Sequence, residues 1–323
     1  MFQVASRHHH GVPEPLNLAG LSHYQSPVAQ KLNIPRRLAR PSFSEPSRDA
    51  VARIDPALAG VPIEYIRKML AGNAHSYDDR GTIAPDHPER AALRTLPPTL
   101  DAPIRPSSQT PDLAAFPTHV LAILSSRSSS ATPTVASFAD KGSLPPSTTI
   151  PLYPASALVL AAHCSLLPPL PQGLPASGRR AALTLPVVPL TIPSPETFAL
   201  LHAYLHTMRP DTLLASLLPA LAAALPHMPA ASSSAAPPAG KLVYVAQFSS
   251  ERLLRLAHAL AGAAFQRGGP QGAMGGLMAH VKLINGLWQN VCALGVFDAE
   301  LWGVLDLAWE VVLAAMTQVA ENR

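Results

Sequence analysis

Three observations in the 323-residue sequence predict a mainly α fold, with α+β as the alternative. Proline is segregated: residues 1–96 hold 10, residues 97–240 hold 25, and residues 241–323 hold Pro270 alone. Proline removes a backbone donor and pushes its predecessor out of the helical region, so the middle can support only short strands and helices. In the last 83 residues, by contrast, apolar positions recur at helical spacing in three successive stretches. Finally, 48% of residues are hydrophobic and only 14% charged, against about 25% charged in an average protein, which suits a packed core and not a charged disordered chain. The predicted organisation is a largely disordered head at 1–112, an α+β region at 113–231, a linker at 232–240, and a helical unit at 241–323 packed on the middle region.

Residues 1–46 are polar and turn-rich without a sustained period. A short helix is expected at 63–71, opened by Pro62, striped by Ile63, Ile66, Met69 and Leu70, and ended by Gly72-Asn73. The apolar run from His119 to Ser125 has strand length, and a Ser-rich loop follows it to Ser130. From Thr149 the chain is extended to Pro154, and Ser156 is placed to cap a helix reaching Leu167. Leu183 to Ile192 reads as an edge strand, because Pro186 and Pro189 cannot donate to a ladder. Ser194-Pro195-Glu196 opens a helix that runs to Met208, and another is expected from Asp211 to about Leu218. The last three helices are Ser250 to Gln266, Met274 to about Val296, and one capped by Asp298 that runs to Ala320 with Leu301, Leu305, Ala308, Val312, Met316 and Val319 as its seam.

The net charge of +4 is unevenly spread: residues 1–110 hold 13 Lys+Arg against 10 Asp+Glu, and residues 268–323 hold two against five. The head is weakly basic and the tail weakly acidic. Its best basic patch, Lys31, Arg36, Arg37 and Arg40, is a candidate nuclear-localisation signal but thin for gripping DNA. Two distant cysteines, Cys164 and Cys292, and an opening without an apolar signal segment point to an intracellular, reducing compartment. No stretch is read as a membrane span.

Enzyme chemistry finds no foothold in the motifs. His202 and His206 stand i, i+4 on a helix, as zinc ligands can, but Ala203 occupies the position where a metalloprotease carries its general-base Glu. His163 and Cys164 are adjacent in a helix and so face about 100° apart, which is wrong for a base and its nucleophile. The glycines at 268–276 lack the Lys-Ser/Thr of a phosphate loop. Neither catalytic residues nor cofactors are therefore assigned, and the chain is read as a non-enzyme. The last helix carries a second stripe, Trp302, Asp306, Trp309 and Leu313, beside its seam. Aromatic anchors are enriched in binding hot spots, so Trp302, Trp309 and Leu313, with Trp288 of the preceding helix, are the candidate partner-binding residues. The plainer reading has the tryptophans completing the helical core.

Two stretches, Ile150 to Cys164 and Leu185 to Thr207, resemble the middle of a BTB/POZ domain, in which a strand feeds a helix, then a strand, a Ser-Pro-Glu-x-Phe cap and a further helix. Across roughly 110–321, through Pro189 to Thr207 and the Trp-bearing C-terminal helices, the chain is similar to the clampless family of basidiomycete fungi. That resemblance implies a non-enzymatic regulator of sexual development, in clamp-cell formation and dikaryon proliferation, acting through protein partners such as homeodomain or other transcription and cell-cycle regulators. The nucleus is then the expected location, ahead of the cytoplasm. A DNA-binding regulator using the basic head is the alternative, and a metal-dependent hydrolase the third reading.

Overall fold

The computed structural model describes residues 34–79, 90–92, 96–103, 117–126, 149–171, 182–228 and 243–321. They form two compact units, one of residues 45–207 with 293–295, the other of 34–44, 208–292 and 296–321. Of the head expected to be largely disordered, 1–112, residues 1–33, 80–89, 93–95 and 104–116 lie outside the described residues, as do the Ser-rich loop at 127–130 and the linker at 232–240. The rest is not disordered: 48–54 and 63–79 are helical and 90–92 and 99–103 are strands, because Val51, Ile63 and Ile66 find a buried cluster and the strands find partners in the sheet.

The first unit is α+β. Its helices are α1 (Arg48–Ile54), α2 (Ile63–Asp79), α3 (Ala157–His163) and α4 (Pro195–Thr207), and its strands β1 (Arg90–Ala92), β2 (Thr99–Pro103), β3 (His119–Ser125), β4 (Thr149–Ala155) and β5 (Ala182–Ile192). The strands make one sheet in the order β1-β4-β3-β5-β2. All neighbours are antiparallel except β3 and β5, whose parallel pairing needs the crossover through β4 and α3. Val120, Ala122, Ile150, Leu152 and Leu185 form the core of the sheet, and Val51, Ile63, Ile66, Ala161 and Ala162 form a second cluster where α1 and α2 meet α3.

Three expectations need correcting here. The helix at 63 continues through Gly72-Asn73 to Asp79, because a glycine costs a helix only about 1 kcal/mol and is a weak stop by itself. The helix capped by Ser156 ends at His163, where Cys164 turns extended (φ −109°, ψ 103°). Most informative is β5, which is an interior strand of the sheet. Its prolines are tolerated because the two ladders are staggered: β2 pairs with residues 182–186 and β3 with 187–192. Val187 donates to Pro98 O (2.9 Å), so neighbouring residues alternate sides. Pro186 then faces β3 before that ladder begins, and Pro189 faces the β2 side after that ladder has ended.

The second unit is helical: α5 (Pro210–Leu217), α6 (Ser250–Leu294) and α7 (Ala299–Glu321), with short 3-10 turns at Pro219–Ala224 and Val245–Gln247. The two helices expected at 250–266 and 274–296 are one run broken at Gly269, whose φ of 61° and ψ of −173° form a bend essentially reserved for glycine. At the far end Gly295 (φ 64°) lets Val296 N–H reach back to Val291 O at 3.0 Å, the glycine-terminated closure of many helices. Asp298 caps α7 as expected, accepting from Leu301 N–H at 2.8 Å. α7 is long and apolar enough to cross a membrane, by length and composition. In this unit 13 of its 23 residues are buried, and α5 packs along it.

Candidate functional site

The sequence-predicted residues converge on one face of the second unit. Trp288 on α6 and Trp302 and Trp309 on α7 are buried, at 5%, 3% and 1% exposure, and Leu313 one turn further is half-buried. A hot spot waiting for a partner would be open, and this one is covered. What covers it is a segment of the same unit, residues 34–43, which has no helix or strand, bends at Arg36 and Arg37, and carries the basic patch except Lys31.

The contacts are specific. The Trp309 indole N–H donates to Pro35 O (3.1 Å), and the Trp288 indole N–H donates to Ala39 O (2.7 Å). Both donors therefore grip main-chain carbonyls four residues apart. Between them Leu38 is buried, at 6% exposure. Arg40 pairs with Asp306 and lays its guanidinium over Trp302, 5.4 Å from the ring centre. Trp302 spends its own N–H on Val296 O (3.0 Å), which holds the turn before α7. Phe43 meets Phe297 edge-on at 5.1 Å, although Phe43 itself stays 69% exposed. Arg36 and Arg37 are exposed, and Lys31 lies outside the described residues.

Sequence reasoning found the tryptophans and missed what lies on them. Residues 34–43 have no hydrophobic period and read as a polar head. The available signal was electrostatic: an arginine of the basic head is matched by Asp306, the one acid within the aromatic stripe.

The other constellations resolve into structural roles. His206 Nδ1–H donates to His202 O (2.9 Å), and its Nε2 accepts from Ser156 N–H (3.2 Å). A carbonyl can only accept and an amide N–H only donate, so one neutral tautomer is specified. His202 Nε2–H donates to Pro154 O (2.8 Å), and the two rings lie 4.2 Å apart. Three N–H groups at the start of α3 are thereby served by side chains: His206 takes Ser156 N–H, Thr118 Oγ1 takes Ala157 N–H (2.8 Å) and Ser156 Oγ takes Val159 N–H (3.5 Å). Burial holds His206 down to about 4 and, with help from Arg67 and His206, holds His163 down to about 3. Burial also pushes the Cys164 and Cys292 thiols up to about 12, the opposite of what a thiolate nucleophile needs. Among the described residues no three His, Cys, Asp or Glu side chains gather as a metal-binding group.

Fold and site thus define a two-unit chain, an α+β unit followed by a helical one whose aromatic face is covered by a non-helical segment. The same division recurs in known proteins: residues 41–193 match the family model of the Clampless protein 1 N-terminal domain, and residues 211–323 that of the Clampless protein 1 C-terminal domain. The chain belongs to the clampless family. Among similar curated proteins are Clampless protein 1 from two Cryptococcus neoformans var. neoformans serotype D strains, JEC21 and B-3501A, each 29% identical over 150 residues. That match covers 46% of this chain and 24% of the relatives, so the chain spans about a quarter of their length. No solved structure matches the chain.

Proposed function

We propose that this protein is a non-enzymatic regulator of fungal sexual development that acts by binding other proteins. The observation that carries the reading is family membership over both units, which suggests a role in clamp formation and development. Two further features support the protein-binding part. The second unit holds a non-helical peptide segment through two indole N–H groups, a buried leucine and a charge pair, the kinds of contact that peptide-recognition surfaces use. In the first unit the antiparallel pair β3-β4, helix α3, strand β5 parallel to β3, and helix α4 follow the order of the BTB/POZ resemblance, an interaction module.

DNA binding through the basic head has less to draw on. Arg40 is engaged with Asp306, which leaves Arg36 and Arg37 as the exposed described members of the patch, too few for a steep counterion effect. A nuclear location agrees with a regulator that meets transcription or cell-cycle proteins.

Affinity purification from dikaryotic hyphae, paired with deletion of the gene, tests the proposal. Expected are loss of clamp cells on deletion and co-purification of developmental regulators with the tagged chain. Normal clamps in the deletion strain, or a substrate-turnover activity in the purified protein, would overturn it.

A further inference from the structure

The groove on α6 and α7 differs from an ordinary core in what it holds. Its occupant, residues 35–43, has no helix or strand of its own, and of its side chains only Leu38 is buried, at 6% exposure. The Arg40 and Asp306 side chains that pin its end stay 53% and 43% exposed, and Phe43 is 69% exposed. The two indole hydrogen bonds go to backbone carbonyls, which every peptide possesses. Pro35 and Pro41 bracket the segment and disfavour helix at the residues before them, so it is kept non-helical at a reduced ordering cost.

The groove side is demanding in a different way. If the segment simply left, three buried tryptophans would face water and the N–H groups of Trp288 and Trp309 would lose their acceptors. Departure is therefore favoured only when another peptide takes its place.

We infer that this face is a peptide-binding groove, that residues 35–43 are its cis occupant, and that a partner's non-helical segment of the same chemistry displaces them. The groove asks that segment for carbonyls at positions i and i+4 facing the indoles, an apolar side chain at i+3, and an arginine at i+5 reaching Asp306 and the face of Trp302. The inference rests on the protein-binding reading above and names the partner's chemistry. A tethered occupant has an effective concentration on the order of millimolar, so a free peptide competes poorly until the tethered one is weakened.

The test uses the full chain and a fluorescent peptide of residues 34–44, followed by anisotropy. Arg40→Ala removes the charge pair and the cation–π contact from the cis segment while leaving every groove residue in place. It changes a half-exposed side chain, so the fold persists, and far-UV circular dichroism checks this. Expected is at least tenfold tighter peptide binding by the Arg40→Ala chain than by the unaltered one, with a further gain in Leu38→Ala/Arg40→Ala. Adding Asp306→Arg should abolish binding, and a peptide with Glu in place of its Arg40 should restore it. Equal or absent binding across these chains, or binding indifferent to the charge swap, overturns the groove whatever a purification from hyphae yields. Peptide binding with the charge swap intact, alongside an empty purification, upholds the groove and strikes the protein-partner reading instead.

Discussion

Asp211 shows how one side chain can be worth more to stability than a count of surface charges. Its carboxylate is 1% exposed, takes two hydrogen bonds from Arg209 (2.9 and 2.7 Å) and accepts Met228 N–H (3.0 Å). Burial alone would raise its pKa, but the Arg209 and Met228 hydrogen bonds outweigh that and hold it below the usual carboxylate value. Removing one partner of such a pair strands the other, so Asp211→Ala should lower unfolding stability by about 3 kcal/mol in a denaturant titration. Because the folded pKa is lowered, this contribution is present above the unfolded value of about 3.8 and is lost as pH falls below it. The histidines act in a higher window. His163 and His206 are held at about 3 and 4 against an ordinary 6.5, so each is neutral in the fold and protonates more readily once unfolded. Stability is complete above about pH 6.5 and falls on acidification, by up to about 1.4 kcal/mol per histidine per pH unit, until the folded values are reached. His206→Gln should flatten the dependence of the melting temperature on pH between 6.5 and 5.

At the scale of elements, the features that sequence patterns handled well are those set by local chemistry. Ser156 and Asp298 start helices because a short side chain with an oxygen can accept from the next turn's N–H groups, and both were legible. The long stripes of α6 and α7 were legible for a similar reason, since their period is a property of consecutive residues. β5 was misplaced because two prolines forbid a strand donor only where a partner strand lies opposite, and the stagger of β2 and β3 is decided by residues as distant as Thr99 is from its partner Pro186. Gly269 lies in the gap between two expected helices, and it is a fixed bend with a positive φ. Nothing lies within 4 Å of where a Cβ would sit, so Gly269→Ala tests backbone strain alone. It should destabilise the chain by about 1–3 kcal/mol, seen as a lower melting temperature by circular dichroism, with helix content at 20 °C unchanged.

The charge asymmetry read as a weakly basic head and a weakly acidic tail has a concrete use in the molecule as a whole. Arg40 and Asp306, 266 positions apart, form an ion pair over Trp302. The pair is open to water and is screened by salt. Raising ionic strength from 0.05 to 0.5 M should therefore speed amide exchange in residues 35–43 relative to the centre of α7, by hydrogen-exchange mass spectrometry. A uniform response would mean that the segment is held by its apolar contacts and indole hydrogen bonds, with no share from the ion pair. The two units also differ in acid sensitivity, because the deeply buried histidines 163 and 206 belong to the α+β unit. Exchange in α3 and α4 should rise first as pH is lowered toward 5.

By itself the sequence determined the caps, the helical stripes, the strand at His119–Ser125 and the family, since each is written in neighbouring residues or in a pattern along the chain. Only the tertiary structure decided that the three tryptophans, candidates both for partner binding and for the helical core, are buried beneath a stretch of the head that has no hydrophobic period. Main-chain carbonyls do the binding there, and they are the same in every sequence. Burial, a property of distant residues meeting, turned the same aromatic stripe from an exposed anchor into an occupied groove.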